Sequence, residues 1–214
     1  MITLAVDAST YQGTVAVIDG STVLEERTVA MRGEHEERLM PAVAECLGAS
    51  AAGVDQVVCG EGPGSFTSLR IAGAIAKGLA ESLGRPLVAA PSLVLIVAGV
   101  RRLTAGRYLA ALDAMRGESY IARIDVDEEG ALRAGDVERV TTAELPVIAG
   151  ERTLIGPGLA VDAHPHARGV ARLIGTDLLR AVSLDGWEPR YGRLAEAQVK
   201  WEAAHGRPLM TPGA

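Results

Sequence analysis

The sequence has 214 residues, enough for one large domain or two small ones, and 48% of them are apolar although only 3% are aromatic. Acidic residues outnumber basic ones by 27 to 21, and the net charge of −6 argues against a broad surface that neutralises nucleic-acid phosphates by itself. The core must therefore be built from Ala, Val, Leu and Ile, as where helices pack closely on a sheet.

The first 31 residues predict three strands. Alternating apolar residues mark positions 2–8, 14–18 and 23–31, and Asp19-Gly20 supplies a turn between the last two. We expect an antiparallel meander. No basic region precedes an apolar stretch at the N-terminus, so we expect no signal peptide.

Two helices and a buried strand follow the meander. A helix over 35–47 carries its apolar residues on one side, although Pro41 must bend or restart its first turn. Residues 54–62 are short and apolar, as in a parallel strand, and 67–83 predict a second helix. The apolar run 86–100 is shorter than the roughly 20 residues of a membrane span, so we expect it in the core.

Cysteine and histidine spacing gives no metal site. Cys46 and Cys59 lie in apolar surroundings without a CxxC or Cys/His cluster, which indicates buried thiols rather than a disulfide or zinc. The four histidines form neither HxxxH nor HExxH, and no serine lies in a GxSxG motif. We therefore assign no metal, no cofactor and no complete catalytic set.

An internal repeat predicts two lobes. At a constant offset Asp7 falls on Asp113, and the GPG of Gly62 to Gly64 has a counterpart at 156–158. A chance match between Ala-rich strands is the alternative. Taken as real, the repeat implies an N-terminal lobe over 1–104, a smaller lobe over 105–214 and a cleft between them. We expect a helix over 166–183 and a basic tail over 188–209.

The stretch GEGPGSFTSLR over 60–70 has two interpretations. It lacks the lysine of a GxxxxGK[ST] phosphate loop, but backbone amides at a helix start favour anions. On that interpretation Gly62, Gly64, Ser65 and Thr67 hold a phosphate or a carboxylate. On the alternative, the glycines permit a sharp turn from strand to helix, and Ser65 or Thr67 caps the helix.

Asp7 and Asp113 allow a second functional hypothesis. Paired aspartates at strand ends across a cleft suit a magnesium-dependent ATP phosphotransferase or hydrolase, in which Asp7 would serve nucleotide binding. Neither aspartate lies in a DxGT hairpin, and an aspartate that caps a hairpin is the plainer explanation.

The motifs LAVDAST, HEERLMPAV, GEGPGSFTSLRIAGAIAKGLA, PLVAAPSL, LDAMRGESY and EPRYGR, in this order, resemble the bacterial TsaB (YeaZ) family over essentially the whole chain. Two departures are Ser68, where the family usually has glycine, and DAST in place of DTST. The resemblance implies an α/β fold with the two lobes of the actin, Hsp70 and sugar-kinase superfamily (ASKHA), each lobe a mixed sheet with flanking helices.

The resemblance also implies a cytoplasmic, non-catalytic subunit of the machinery that makes N6-threonylcarbamoyladenosine at position 37 of tRNA. Such a subunit pairs with the homologous catalytic subunit TsaD, or with itself when alone, and the ATPase TsaE joins them. It would reach tRNA only through the complex and would not contact a membrane. The catalytic relative carries HxxxH where this chain has Ser92 and Ile96.

Pairing in the family uses the two N-lobe helices, which gives candidate interface residues here. They are Leu39, Val43, Leu69, Ala72, Gly73, Ala76, Leu79, Ala80 and Leu83. The alternative for these positions is packing on the chain's own sheet. Direct tRNA binding through the basic tail is a third hypothesis.

Overall fold

The computed structural model describes residues 1–31, 38–48, 53–192 and 205–206. Their strands, in chain order, are β1 (Ile2–Asp7), β2 (Gln12–Asp19), β3 (Thr22–Ala30), β4 (Val54–Gly60), β5 (Leu87–Ala90), β6 (Gly106–Met115), β7 (Glu118–Val126), β8 (Leu132–Ala134), β9 (Glu138–Thr141), β10 (Thr153–Gly156), β11 (Val161–Asp162) and β12 (Arg180–Val182). The α-helices are α1 (Leu39–Leu47), α2 (Phe66–Leu83), α3 (Ser92–Ala98) and α4 (Leu145–Ala149), and Thr142–Glu144 and Ala167–Arg172 form short 3-10 helices.

The strands form two sheets, with the orders β12-β5-β4-β1-β2-β3 and β11-β10-β6-β7-β8, and β9 also pairs with β7. The predicted meander is confirmed, since β2 pairs antiparallel with both β1 and β3. The predicted buried strand over 54–62 is β4, which runs parallel to β1. Both sheets are therefore mixed.

The two sheets repeat one topology, as the constant offset predicts. In the first, β1 lies between antiparallel β2 and parallel β4; in the second, β6 lies between antiparallel β7 and parallel β10. The hairpins differ by one residue in register, because Ala5 pairs with Ala16 whereas Ala111 pairs with Ile121. The predicted two-lobed fold of mixed sheets with flanking helices is confirmed.

Two helices differ from their predicted form. In α1, Pro41 is the third residue, where the missing N–H would have no intrahelical partner, so the helix continues through it. Residues 35–37 of that predicted helix lie outside the described residues. The predicted helix over 166–183 is wrong: only Ala167–Arg172 is helical, in 3-10 geometry, and the chain then turns at Gly175, whose φ is +82°.

The chain's C-terminal part does not stay in the second lobe. β12 pairs antiparallel with β5 and so forms an edge of the first sheet, about 90 residues after its partner in sequence. The predicted division at residue 104 is therefore wrong for β12, which belongs to the first lobe. The strands β6 to β11 form the second sheet.

Three apolar clusters hold these layers together. One joins the first sheet to α1 and α2, a second lies between the two sheets around α3, and a third joins the second sheet to Leu145 and Ala149 of α4. All seven residues of α3 are buried, so the prediction that this apolar run is core is confirmed. Each fully buried leucine or isoleucine contributes about 1.5 to 3 kcal/mol relative to exposure.

Both cysteines are free and buried, as predicted, and burial raises the pKa of each thiol. Across the described part of the chain, no helix has both the length and the apolar character that a membrane crossing requires.

Candidate functional site: the cleft, the glycine-rich loop and the outer face of helix 2

Asp7 lies at the end of β1, and its carboxylate is fully buried. Its Oδ1 accepts hydrogen bonds from the backbone N and the Oγ of Ser9, at 2.9 and 2.8 Å. Its Oδ2 accepts one from the Oγ of Ser92, the first residue of α3, at 2.6 Å. Burial raises the pKa of Asp7, although the bonds from Ser92 and Ser9 act in the opposite direction.

This network extends into the glycine-rich loop. The backbone N of Gly62 donates to the Oγ of Ser92 at 2.9 Å. A Cβ on Gly60 would lie 1.8 Å from the Oδ2 of Asp7, so only glycine fits there. Asp7 thus joins β1 to the loop and to α3. The prediction that it faces the cleft is wrong, because its oxygens are enclosed by these donors.

The loop itself packs against the β1–β2 turn. A Cβ on Gly64 would lie 1.9 Å from the carbonyl oxygen of Ser9, and the N of Ser65 donates to that same oxygen at 2.7 Å. A Cβ on Gly62, where φ is +91°, would lie 2.5 Å from the carbonyl oxygen of Arg190. The glycines therefore serve close backbone contacts, which is the turn interpretation. The Ser65 amide already has an acceptor.

Helix α2 begins directly after this loop. Ser65 occupies the N-cap position without a capping bond from its side chain, and its Oγ lies 3.0 Å from the Oγ of Ser68. Thr67 is exposed on the outside of the helix. The ring of Phe66 packs on that of Tyr191 with centroids 4.5 Å apart. The hydroxyls of Ser65 and Thr67 do not make the predicted capping bond.

A cavity of about 660 Å³ separates the lobes, as the repeat predicts. Gly64 and Ser65 line it, whereas Asp7, Gly62 and Thr67 do not. The lining residues that the structure describes come from both lobes and include one charged group, Asp113, but no lysine or arginine: Ser9, Thr10, Tyr11, Gln12, Thr28, Val29, Ala30, Gly64, Ser65, Leu112, Asp113, Met115, Tyr120, Pro157 and His164. Such a lining does not suit a nucleoside triphosphate.

Asp113 is the exposed counterpart of Asp7. Its Oδ1 accepts a hydrogen bond from the backbone N of Met115 at 2.7 Å, the geometry of an aspartate that caps a turn. The two aspartates do not share the cavity. Within the described ranges, no three His, Cys, Asp or Glu side chains converge as metal ligands.

The predicted contact residues of α1 and α2 point mostly inwards. Leu79 and Leu83 are partly buried. The other seven are buried in the chain's own core: Leu39, Val43, Leu69, Ala72, Gly73, Ala76 and Ala80. The prediction that these seven form an exposed contact face is wrong. Small residues at this spacing instead let α2 lie close to β4 and to the C-terminal segment.

The outer face of α2, defined by Thr67, Arg70, Ala74, Gly78 and Ser82, is exposed. It also consists largely of small residues, and a Cβ on Gly78 would meet no atom within 4 Å. Both sides of the helix thus carry small residues, and only the tertiary structure decides which side is covered.

A further group, missed in the sequence, comes from the segment 183–192, which packs on α2. Trp187 is buried beside this helix, Pro189 lies 3.1 Å from the position of a Cβ on Gly73, and the Nζ of Lys77 donates to the Trp187 carbonyl oxygen at 3.1 Å. Trp187 is one of two tryptophans in a chain poor in aromatics, and that rarity was the available signal.

The same segment is anchored at Glu61, a buried carboxylate next to the loop. Its Oε2 lies 2.9 Å from Arg180 and 3.5 Å from Arg190, and the N of Arg190 donates to the Glu61 carbonyl oxygen at 2.6 Å. Arg190, predicted to contribute to a basic tail, is therefore paired. Residues 193–204 and 207–209 of that tail lie outside the described residues.

Comparison with known proteins identifies relatives. The chain is 34% identical over 164 residues to the "tRNA threonylcarbamoyladenosine biosynthesis protein TsaB" of Escherichia coli (strain K12), covering 72% of this chain and 71% of that protein. The protein of the same name from Bacillus subtilis (strain 168) is 29% identical over 229 residues, covering 94% and 98%.

Structural comparison gives the same answer. YeaZ from Pseudomonas aeruginosa superposes with a TM-score of 0.71 at 26% identity, covering 89% of this chain and 99% of YeaZ. The family model "TsaD: tRNA N6-adenosine threonylcarbamoyltransferase" matches residues 24–146, more than half of the chain. With this identity, coverage and shared fold, the chain belongs to the TsaB (YeaZ) family.

Proposed function

We propose that this chain is a non-catalytic subunit of the complex that makes N6-threonylcarbamoyladenosine at position 37 of tRNA. In this role it holds a TsaD-type catalytic subunit in its competent arrangement, and a TsaE-type ATPase joins the pair. The names of the TsaB relatives, and of the matching TsaD family model, support the pathway.

The non-catalytic part of the proposal rests on two residues of α3, their identity and their burial. Ser92 and Ile96 stand where the resemblance places the histidines of the catalytic relative, and both side chains are fully buried. Ser92 is bonded to Asp7 and Gly62, and Ile96 belongs to the core between the sheets. Neither residue offers an imidazole, and neither side chain opens into the cleft.

The magnesium-dependent ATP phosphotransferase hypothesis lacks comparable support. It needs a carboxylate on the cleft surface at Asp7, and that carboxylate is enclosed by Ser9, Ser92 and the backbone near Gly60. Among the described residues that line the cavity, none is a lysine or arginine that could bind the triphosphate.

We place the pairing surface on the outer face of α2 together with the exposed side of α1. The two helices pack on the same face of the first sheet, through one apolar cluster. Met40 and Ala44 of α1 are exposed, as are Ala74 and Gly78 of α2. A face of small and apolar side chains lets a partner helix approach closely. Either TsaD or a second copy of this chain would use it.

Reconstitution tests the function. We expect threonylcarbamoylation of a tRNA transcript by TsaD-type and TsaE-type proteins of the same organism to require this chain. Equal product without it would refute the proposed role. The isolated chain should show no ATP turnover, and turnover that Asp7→Asn abolishes would favour the phosphotransferase.

The surface is tested by Ala74→Glu. Burying a carboxylate in a helix-to-helix contact costs several kcal/mol, so we expect binding to TsaD to weaken about a hundredfold in a titration. Ala143→Glu, on the exposed 3-10 helix of the second lobe, is the matched control and should bind as wild type. Ala76→Glu is unsuitable, because Ala76 is buried and a glutamate there would disrupt the core. Wild-type binding by Ala74→Glu would place the interface elsewhere.

A further inference from the structure

A basic pocket lies away from the cleft, between the β2–β3 turn and the 3-10 helix Ala167–Arg172. Its volume is about 280 Å³, and three of its six lining residues are arginines: Ser21, Val23, Arg101, Arg168, Ala171 and Arg172. In a chain of net charge −6, three guanidinium groups around one small pocket are a marked local excess of positive charge.

One carboxylate is shared among these arginines. The Oε1 of Glu26 accepts from the Nη1 of Arg168 at 3.0 Å and also from Arg101. Arg172 has no carboxylate in this cluster; it donates to the carbonyl oxygens of Ala98 and Arg101. Glu26 therefore orients two of the three arginines but neutralises only one charge.

Donor capacity is left over in the pocket wall. The Nε of Arg168 is buried and has no hydrogen-bond partner among the described residues, and the Arg168 side chain is only 18% exposed. A buried guanidinium N–H without an acceptor costs free energy, and the Oε2 of Glu26 in the same cluster is likewise buried without a partner among the described residues. The donors that an incoming anion can reach directly are therefore those of the exposed Arg101. The Arg101 side chain is 73% exposed at the mouth of the pocket and can turn towards a ligand.

The protonation equilibria of neighbouring groups agree with an excess of positive charge. Burial lowers the pKa of Arg168; Glu26 acts in the opposite direction, and Arg101 and Arg172 lower the pKa again. Next to the pocket, burial first and then Arg168 and Arg101 lower the pKa of His166 to about 3, so its ring stays neutral.

We propose that this arginine pocket binds a phosphate group. Guanidinium groups match the tetrahedral oxygens of phosphate in charge and in donor geometry, and the Ser21 hydroxyl can add a neutral donor. The phosphate can belong to free inorganic phosphate or to an RNA backbone. The site does not depend on the proposed pairing with TsaD.

The test uses the full chain and inorganic phosphate. We expect phosphate to raise the melting temperature beyond the effect of sodium chloride at equal ionic strength, and calorimetric titration to give a dissociation constant. Arg101→Ala should weaken phosphate binding about tenfold, since one charge-assisted hydrogen bond is lost, and Arg101→Lys should restore part of the affinity. Arg102→Ala, at an exposed neighbour outside the pocket, is the control and should bind as wild type.

A second arm identifies the source of the phosphate. An unmodified tRNA transcript is titrated against the phosphate-loaded chain at low salt. Displacement of phosphate, weakened by Arg101→Ala and not by Arg102→Ala, would assign the site to an RNA backbone, and phosphate binding without displacement would assign it to a free anion. If neither ligand binds, or if Arg101→Ala binds both as wild type, the proposal is wrong. These readouts need no partner enzyme, so they are independent of the reconstitution.

Discussion

Asp7 looks catalytic in the sequence, but in the fold its carboxylate serves a structural hydrogen-bond network. Its position at the end of β1 was predictable, since the alternating strand ends there. The direction in which its side chain points was not predictable, because it depends on Ser92. That residue is 85 positions away in sequence, and its Oγ donates to the Asp7 carboxylate at 2.6 Å. No local pattern reports such a contact.

The raised pKa of Asp7 predicts a pH dependence of stability. The folded state holds the Asp7 proton more tightly than the unfolded chain, so the contribution is largest below the unfolded-state pKa of about 4 and is lost as pH rises through the raised folded value. Asp7→Asn keeps an oxygen for the Ser9 donors and has no proton to lose. We expect the free energy of unfolding in urea to decrease less steeply with pH in this variant, by up to about 1.4 kcal/mol per pH unit.

The matched control for this measurement is Asp113→Asn, at the exposed aspartate on the corresponding strand. Curves of Asp7→Asn and the wild type that run parallel between pH 4 and 8 would show that burial of Asp7 does not shift its titration.

Gly64 and Gly78 provide a second test at this scale, because one glycine is enclosed and the other is open. Gly64→Ala places a Cβ against the carbonyl oxygen of Ser9, and we expect it to lower the free energy of unfolding by about 3 kcal/mol. Gly78→Ala, in the middle of α2, should raise it by about 1 kcal/mol, since alanine is the better helix former. Urea denaturation at low protein concentration measures both. Equal stabilities would contradict the close contact at Gly64.

At the scale of elements, α2 was predictable and its orientation was not. Its length and start follow from the glycine-rich loop and the apolar spacing. Its inner positions Ala72, Ala76 and Ala80 and its outer positions Ala74 and Gly78 are chemically alike. Hydrophobic periodicity alone therefore could not decide which side faces the sheet.

The segment 183–192 gives a prediction for this scale. Trp187 fills the space beside α2, so Trp187→Ala should lower the free energy of unfolding by about 3 kcal/mol or more. Trp187→Phe should cost clearly less, because the indole Nε1 is buried without a partner among the described residues and its removal gives up no hydrogen bond. Chemical denaturation of both variants measures the difference. A larger loss for Trp187→Phe than for Trp187→Ala would contradict this packing.

At the scale of the whole molecule, the duplication of the lobe could be predicted from the sequence. The addition of the C-terminal strand β12 to the first sheet could not. The repeat left identities at a constant offset, because both lobes place an alanine-rich hairpin beside a parallel strand. β12 has only three residues, Arg-Ala-Val, and its partner β5 lies far earlier in the chain. A strand so short has no periodicity to detect, so its addition to the first sheet became visible only in three dimensions.

The position of β12 and Trp187 has a consequence for folding during translation. The first lobe begins at residue 1, but its outer strand and part of its core are supplied by residues 180 to 190. While a ribosome is still making the second lobe, the first has an open sheet edge at β5 and an unfilled space beside α2. The lobe that leaves the exit tunnel first is thus completed last.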